Sequence, residues 1–513
     1  MISFLNSCVI NGLDGDLIKI EIDIVKGLST FNIVGLPDTV VKESKDRIRS
    51  AIVNSGYKFN TGRIVINMSP ANSKKEGSHM DLPMALGILS SSREIKSECL
   101  ADTIFLGELS LSGEINKTNN ILPMLIYLKE KGFKNFIIPW KNKDEGALLK
   151  DINVFAADNL REVVDFLKKK SYLSQIDFKD GFFKSNDDSY YDFSEVIGQR
   201  KIKKAMEISA SGYHNIIMLG PPGAGKTMLA KRFNSILPSL SYEEAIEITK
   251  IYSISGKLDN NMPFITERPF RSPHHTTSPV SIAGGGSNPR PGEISLAHYG
   301  VLFMDEFPEF PRSVLEVLRQ PMEDEKITIS RSNGSYTFPC KFILLASMNP
   351  CPCGYYNHPT KECTCSPNQI DKYLSKISGP LLDRIDIQVE ISPLQFSKLK
   401  VKKDEESSKS IKERVENARL IQFERYKKEK IIYNSQLSGK LLEKHCKLDS
   451  KTLDFLEMTF DKLSLSTRSY NKILKISRTI ADLEASDIIS FSHVTQALQY
   501  RNLDKYFGKK RGF

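Results

Sequence analysis

The stretch Gly220-Pro-Pro-Gly-Ala-Gly-Lys226-Thr227 decides how this chain of 513 residues is expected to fold. An apolar run, Ile216–Leu219, precedes it, and the sequence MLAKRF, which is compatible with a helix, follows it. Between a strand and a helix, such glycines let backbone N–H groups surround phosphate, while the lysine reaches the β- and γ-phosphates and the threonine hydroxyl binds Mg²⁺. The sequence therefore predicts an α/β domain with a P-loop that binds ATP and Mg²⁺ through Gly220, Pro221, Pro222, Gly223, Ala224, Gly225, Lys226 and Thr227.

A second run, Val301-Leu-Phe-Met-Asp305-Glu306, has the pattern of a buried strand that ends in two carboxylates. Asp305 is placed to complete the Mg²⁺ shell, and Glu306 to orient the attacking water. A third strand-like run ends at Asn349, whose amide is suited to sense the γ-phosphate. The alternative for each is a polar residue that merely ends a strand, but the P-loop upstream favours catalysis.

Two arginines are candidates for stabilising the charge that develops during phosphoryl transfer. Arg384 lies in the sequence GPLLDRID, and Arg468 lies in STRSY at the start of a predicted helix. A guanidinium supplied at the transferred phosphoryl group, often by a neighbouring subunit, accelerates such reactions strongly. For either arginine alone, a surface salt bridge is the alternative.

Four of the eight cysteines crowd into one short stretch, as the pairs Cys351-Pro-Cys353 and Cys363-Thr-Cys365. Four thiolates in two tight turns have the ligand set of a structural Zn²⁺ site, with His358 as a reserve ligand. The spacing within each pair is shorter than the usual C-x₂-C, so free or redox-active thiols remain an alternative.

Composition and charge exclude several classes of protein. Hydrophobic residues make up 40% of the chain and charged residues 26%, as in ordinary globular proteins, which excludes disordered and fibrous classes. No apolar run approaches the roughly 18 residues of a membrane span, and the first residues do not resemble a signal peptide, so we expect a cytoplasmic protein without a membrane partner. The 72 Lys and Arg residues against 62 Asp and Glu give a net charge of +10, which permits a polyanionic partner.

The hydrophobic patterns divide the chain into four segments. Residues 1–168 show strand and helix patterns of a separate α/β domain, and residues 169–192, with the elements KKK, KDG and SNDDS, predict a linker. Repeated strand–turn–helix patterns in residues 193–392 favour a mostly parallel sheet. Apolar residues three and four positions apart predict that residues 393–513 are largely helical.

Taken together, these motifs resemble the AAA+ ATPases of the magnesium-chelatase-like group, in particular the ComM/YifB type. The resemblance covers nearly the whole chain and includes the segments RSPHHTTSPVSIAGGG, NPCPCG and STRSYNKILKISRTIADL. It implies an N-terminal Lon-protease-like (ChlI-like) α/β domain, an AAA+ P-loop core with a helix-2 insert and a pre-sensor-1 hairpin, and a C-terminal helical lid.

The same resemblance implies a role for each candidate residue. Lys226 and Thr227 correspond to Walker A, Asp305 and Glu306 to Walker B, Asn349 to sensor 1, Arg468 to sensor 2, and Ile197 and Gly198 to the segment beside the adenine. Arg384 corresponds to the arginine finger, which would act in the neighbouring site of a ring-shaped homo-hexamer.

Two loop-like segments carry candidate DNA-binding cations. By the resemblance, Glu267 to Gly292 corresponds to the helix-2 insert, and this segment contains Arg268 and Arg271. The second segment, Glu325 to Lys341, is predicted to form a hairpin that turns at Ser332-Asn333-Gly334, and it carries Lys326 and Arg331. If both elements face the pore of a ring, the four cations would follow a phosphate backbone; otherwise they are solvated surface charges.

The N-terminal domain lacks the residues of a Lon-type protease. A Ser-Lys dyad would need a serine at the position of His79 and a lysine at that of Leu122. We therefore expect a fold that serves assembly or partner contact, with proteolysis as a less favoured alternative.

The resemblance implies an ATP-driven ring motor that binds DNA, like branch-migration helicases in recombination or natural transformation. Two other functions stay open from the residues. One is a magnesium-chelatase-type ATPase that remodels a protein partner, and the other is a scaffold switched by nucleotide.

Overall fold

A computed structural model describes residues 2–60, 62–71, 73–179, 191–259, 263–286, 289–331, 334–392, 405–463 and 465–501. The chain forms two compact units: one contains Met1–Lys184, Ala245–Thr266 and Ser330–Tyr336, and the other contains Ser185–Glu244, Glu267–Ile329 and Thr337–Phe513. In the ranges given above, no helix is long and apolar enough to span a membrane. Each predicted segment has residues outside the described ranges, namely 1, 61 and 72 of the N-terminal domain, 180–190 of the linker, 260–262, 287–288 and 332–333 of the core with its insert and hairpin turn, and 393–404, 464 and 502–513 of the helical tail.

Two four-stranded sheets form the framework of the N-terminal unit. The strands are β1 (Ser3–Asn11), β2 (Asp14–Val25), β3 (Thr30–Val34), β4 (Arg63–Ser69), β5 (Thr103–Phe105), β6 (Glu108–Leu109), β7 (Ile115–Asn116), β8 (Asn135–Pro139), β9 (Asn153–Ala157) and β10 (Ser174–Ile176). They are ordered β1-β2-β4-β3 in one sheet and β10-β9-β8-β5 in the other, while β6 and β7 pair with each other. The α-helices of this part are Thr39–Asn54, Asp81–Ser91, Ile121–Glu130, Lys143–Gly146 and Leu160–Leu167.

Local signals account for the first helix of this unit. The carboxylate of Asp38 accepts the backbone N–H of Val41 at 2.7 Å and so caps the helix Thr39–Asn54. Ile48 and Ile52 lie fully buried on one face of that helix. Gly56 follows at φ +88°, a backbone conformation that ends helices and favours glycine.

The structure departs from the predicted linker at one place. Residues Ser174–Ile176, inside that segment, form the edge strand β10, which pairs antiparallel with β9. The charged and turn-forming residues around it conceal a strand of only three residues, which is stabilised by pairing with a distant part of the chain.

A five-stranded parallel sheet forms the centre of the second unit. Its strands are β11 (Ile216–Leu219), β12 (Phe270–Arg271), β15 (Gly300–Met304), β18 (Phe342–Met348) and β19 (Ile387–Glu390), in the order β12-β15-β18-β11-β19. All neighbouring pairs are parallel. The three runs expected to be strands are therefore β11, β15 and β18, and their side chains are almost completely buried. Two hairpins, β13 (Gly284–Gly285) with β14 (Arg290–Pro291) and β16 (Lys326–Arg331) with β17 (Gly334–Pro339), stand outside this sheet.

Helices alternate with these strands along the chain and form the C-terminal part. Before residue 392 they are Arg200–Gly212, Lys226–Phe233, Tyr242–Ser255, Pro279–Ala283, Glu293–Leu296, Arg312–Val317, Pro321–Asp324, Pro367–Leu374 and Gly379–Leu382. After residue 405 they are Ser408–Tyr426, Gly439–His445, Ser450–Leu463, Thr467–Leu483 and Phe491–Leu498. Ile473, Ile476 and Ile480 are fully buried in one hydrophobic core with the sheet strands, which explains their spacing in the sequence.

Candidate functional site

The P-loop joins β11 to the helix Lys226–Phe233 at the carboxyl edge of the parallel sheet. Gly223 and Gly225 have φ angles of +77° and +85°, a region where residues with a side chain are strained. The strands β15 and β18 end at the same edge, because parallel strands share their direction. The sheet therefore brings Asp305 and Asn349 to the P-loop.

Asp305 connects the P-loop to the neighbouring strand ends. Its Oδ2 accepts the hydroxyl of Thr227 at 2.7 Å, and its Oδ1 accepts the backbone N–H of Glu306 at 3.0 Å. The hydroxyl of Ser347, at the end of β18, also donates to this carboxylate. Hydroxyl and carboxylate oxygens are the hard ligands that Mg²⁺ prefers, so this donor set fits the predicted magnesium position. The sequence alone did not indicate Ser347.

The ammonium of Lys226 lies within the loop and contacts the predicted sensor. Its Nζ donates to the carbonyls of Gly220 at 2.7 Å and Pro221 at 3.0 Å, and to Oδ1 of Asn349 at 3.0 Å. Burial lowers the pKa of Lys226, and the carboxylates of Asp305 and Glu306 oppose this by favouring the charged form. The lysine is thus a partly desolvated cation at the place where phosphate is expected.

Glu306 has a neighbour that sequence reasoning did not assign. Its backbone is left-handed, with φ +51°, and its side chain is 56% exposed. The Nδ1 atom of His275 lies 3.5 Å from a carboxylate oxygen of Glu306, and the imidazole is edge-on to Phe310 with ring centroids 6.5 Å apart. The two consecutive histidines, which follow β12 after Ser272 and Pro273, are the sequence signal for this contact.

Arg384 and Arg468 lie close to each other but on the other edge of the sheet. Arg384 donates to the carbonyl of Pro380 at 2.7 Å and forms an ion pair with Glu323, while Arg468 contacts Asp383 at 3.2 Å. Both line one cavity of about 650 Å³. Arg384 precedes β19, whose Ile387 pairs with Ile216 at the start of β11, whereas the P-loop follows the end of β11. The structure therefore does not bring these arginines to the P-loop of their own chain.

The predicted adenine segment lies beside the end of β19. The backbone N–H of Gly198 donates to Glu405 at 2.7 Å, and Gln199 donates to the carbonyl of Ser392 at 3.1 Å. Ile197 is half-buried. The segment thus contacts Ser392 and Glu405, the residues on either side of positions 393–404.

The four clustered cysteines converge as a metal site requires. Their sulfur atoms all lie within 4.8 Å of one another, and Cys351, Cys353 and Cys363 are 3.4 to 3.6 Å apart. Zn–S bonds of about 2.3 Å in a tetrahedron separate sulfurs by about 3.8 Å, so the thiolate set fits Zn²⁺. Nδ1 of His358 instead accepts the N–H groups of Thr360 and Lys361, at 3.2 and 3.0 Å. The histidine is therefore not part of this cluster.

Arg268 is not exposed in the way that its predicted contact with DNA would require. Its guanidinium is buried and donates to the carbonyls of Pro238 at 2.6 Å and Tyr299 at 2.7 Å. It also forms a salt bridge of 2.8 Å with Glu244. Burial lowers its pKa, but Glu244 and the neighbouring tyrosines outweigh this effect. Arg268 is a structural cation that joins the segment before β12 to Glu244.

Arg271 is also engaged within its own chain, whereas the hairpin cations are exposed. Arg271 binds Glu293 through two hydrogen bonds, of 2.6 and 2.9 Å, so its guanidinium is held by a carboxylate of its own chain. Lys326 and Arg331 are exposed on β16, as a DNA-contacting role requires. Arg290 is exposed on β14 and was not among the predicted DNA ligands.

Family comparisons match the chain in three consecutive segments. Residues 20–142 match subunit ChlI of Mg-chelatase, residues 192–399 match magnesium chelatase, subunit ChlI, and residues 405–501 match the C-terminal region of that subunit.

Individual relatives extend this match to nearly full length. The chain is 41% identical to competence protein ComM of Haemophilus influenzae over 503 residues, 97% of each chain. It is also 41% identical to the uncharacterized protein YifB of Escherichia coli over 497 residues, 96% of each chain. A more distant similarity, 26% over 183 residues, links it to Lon protease 2 of Bacillus subtilis and covers 31% of this chain and 32% of that one. The chain therefore belongs to the magnesium-chelatase-like AAA+ ATPases of the ComM/YifB type.

Proposed function

We propose that this chain is an ATP-hydrolysing ring motor that acts on DNA, as a branch-migration helicase in recombination or natural transformation. The observation that carries the DNA part is the 41% identity, over 97% of both chains, to a protein named for competence. The net charge of +10 is compatible with a polyanionic partner. Family membership and the convergence of Lys226, Asp305 and Asn349 support the ATPase part.

Each residue at the carboxyl edge has a role in this proposal. Backbone N–H groups of the P-loop and the Lys226 ammonium bind the phosphates, while Thr227 and Asp305 hold Mg²⁺, which would neutralise developing negative charge. Glu306 orients the attacking water, and His275 positions the Glu306 carboxylate. The amide of Asn349, in contact with Lys226, senses whether the terminal phosphate is present.

Arg384 and Arg468 serve a neighbouring subunit in the proposed ring hexamer. They lie at the edge of the sheet opposite the P-loop, and the four residues of β11 between these edges span about 10 Å. A guanidinium there reaches a nucleotide only if another subunit presents its carboxyl edge to it. The proposed assembly therefore places every active site between two chains.

The finer architecture is also part of this proposal. Residues 1–168 form the ChlI-like domain without a Ser-Lys dyad, 169–192 the connection, 193–392 the AAA+ core and 393–513 the lid. His79 and Leu122, at the dyad positions, are both buried, and the His79 ring contacts the carbonyl of Cys8 at 2.7 Å, which supports a role in packing. The hairpins β13–β14 and β16–β17 correspond to the helix-2 insert and the pre-sensor-1 hairpin.

The exposed cations of these two hairpins are the proposed DNA ligands. Arg290 stands on β14, and Lys326 and Arg331 on β16, all with exposed side chains. Each phosphate contact releases condensed counterions, so binding weakens as salt rises. Arg268 and Arg271 hold the insert in place through Glu244 and Glu293 and do not join this set.

A salt titration of DNA binding tests this assignment. Replacing Arg290, Lys326 and Arg331 with alanine should weaken binding of single-stranded DNA and reduce the slope of log affinity against log salt by about 0.7 for each lost contact. Lys451→Ala, at an exposed position on the helix Ser450–Leu463, is the matched control and should leave the slope unchanged. An unchanged slope in the triple variant contradicts the assignment, and an ATPase that ignores DNA contradicts the proposed function.

A further inference from the structure

The four-cysteine knuckle, residues 351–365, begins two residues after Asn349. Within this fully described stretch the backbone forms no helix or strand. The N–H of Tyr356 points to the sulfur of Cys351 at 3.3 Å, and that of Cys353 to the sulfur of Cys365 at 3.4 Å. Because regular backbone pairing is absent from the knuckle, its shape depends on what joins the four sulfurs.

The knuckle packs directly on the P-loop. A Cβ atom added to Gly354 would lie 2.4 Å from Cδ and 2.7 Å from Cγ of Pro222, so only a glycine allows this approach. Gly354 also has φ +84°, a conformation that glycine adopts without strain. Pro222 is the third residue of the phosphate-binding loop.

Two further contacts connect the knuckle to the nucleotide site. The backbone N–H of Asn349 donates to the hydroxyl oxygen of Tyr373, on the helix that follows the knuckle. A cavity of about 520 Å³ is lined by Gly220 and Pro221 of the P-loop and by Gly354 and Tyr356 of the knuckle. The knuckle therefore forms a wall beside the P-loop and is attached at both ends to the strand end that carries Asn349.

We propose that Zn²⁺ bound by the four thiolates holds the P-loop and Asn349 in the arrangement that binds nucleotide. The inference rests on the proposed ATPase function and adds a thermodynamic coupling between the metal site and the nucleotide site. Such coupling is reciprocal: if Zn²⁺ raises the affinity for nucleotide, then nucleotide raises the affinity for Zn²⁺ by the same factor. Gly354 and Pro222 transmit the effect because they are in direct contact.

Zinc release measures this coupling without relying on turnover. The purified full-length chain should contain about one zinc ion per chain by elemental analysis, as a closed tetrathiolate site implies. At equilibrium with a coloured chelator, saturating Mg·ADP should raise the affinity of the chain for zinc by about tenfold, within the range of allosteric couplings. In Lys226→Ala, which loses a phosphate ligand, the same addition should have no effect. A zinc-free chain, or equal zinc affinities with and without Mg·ADP, would overturn the proposal.

A pair of variants separates this coupling from the metal site itself. Gly354→Ala keeps all four cysteines but forces Pro222 to move, so zinc content should stay normal while the Kd for a fluorescent ADP analogue rises about tenfold. Glu362→Ala, exposed on the same knuckle, should change neither value. If the native chain binds nucleotide tightly, and equally well with and without zinc, the coupling alone is refuted. If the zinc-loaded native chain binds no nucleotide, the proposed ATPase function is refuted.

Discussion

Replacing Arg384 with alanine tests which subunit's nucleotide this guanidinium serves. Arg384 lies before β19, beside Glu323 and Pro380, and β11 separates it from the P-loop by about 10 Å. If its partner is the nucleotide of a neighbouring chain, Arg384→Ala should still bind ATP and form rings. Loss of an arginine finger should nevertheless reduce hydrolysis by about 10³-fold or more.

Mixed rings turn this geometry into a quantitative result. A site is active if one chain supplies Lys226 and its neighbour supplies Arg384. Rings of only Arg384→Ala or only Lys226→Ala contain no such site. In rings assembled from equal amounts of the two variants, about a quarter of the interfaces combine the two intact residues. The rate of the mixture should therefore approach a quarter of the native rate when the sites act independently.

The assay compares phosphate release by the mixture with that of each variant alone, after the rings have exchanged subunits. Light scattering on each variant controls for assembly. If the mixture is no faster than the average of the two separate variants although mixed rings form, Arg384 does not act across the interface, and the topological argument is wrong.

Three further predictions concern the same unit. Glu306→Gln should retain ATP binding and lose turnover, because only the group that orients water changes; normal phosphate release would refute the role of Glu306. His275→Ala should lower kcat with little change in nucleotide Kd, because His275 contacts Glu306 and not the P-loop, and an equal loss of binding would show a structural role instead. Asp386→Ala should lower the free energy of unfolding, measured by chemical denaturation, by about 3 to 5 kcal/mol, because it leaves the buried Lys472 and His214 without their carboxylate. Asp383→Ala is the control: it removes an exposed ion pair with Arg468 and should cost about 0 to 1 kcal/mol.

The Asp386 cluster also sets a pH dependence of stability. Burial raises the pKa of Asp386, but Lys472 and His214 outweigh burial and hold it well below its usual range. Burial lowers the pKa of the facing Lys472 to about 8. Because the folded pKa of Asp386 is depressed, its contribution is complete above the unfolded value of about 3.9 and is lost as the pH falls further. Denaturation of the native chain and Asp386→Ala at pH 6 and pH 3 should show a smaller difference at the lower pH.

The P-loop and the strand ends could be predicted from the sequence because their information is local. The glycines of the loop, the apolar strand and the helix-compatible segment stand next to one another at Ile216 to Phe233. The rule that parallel strands end at one edge then brings Asp305 and Asn349 to the loop without further information. The cysteine cluster was predictable for the same reason, since all four ligands lie within fifteen residues.

The burial and the contacts of the charged side chains could not be predicted, because they depend on partners far away in the sequence. Arg268 resembles any surface cation in the sequence, yet it is buried by contacts with Pro238, Tyr299 and Glu244. The sequence separations between Arg268 and these three residues follow neither the helix nor the strand period, so no pattern in the sequence indicates the contacts. The contact between His275 and Glu306 and the strand β10 depend in the same way on pairing between segments distant in sequence.

Branch migration of a synthetic four-way DNA junction tests the central claim most directly. The purified chain with Mg²⁺ and ATP should convert the junction into two duplex products, whereas a non-hydrolysable ATP analogue or the Glu306→Gln variant should leave it intact. An active ATPase whose rate does not respond to the junction, and which leaves the junction unchanged, would contradict a DNA motor.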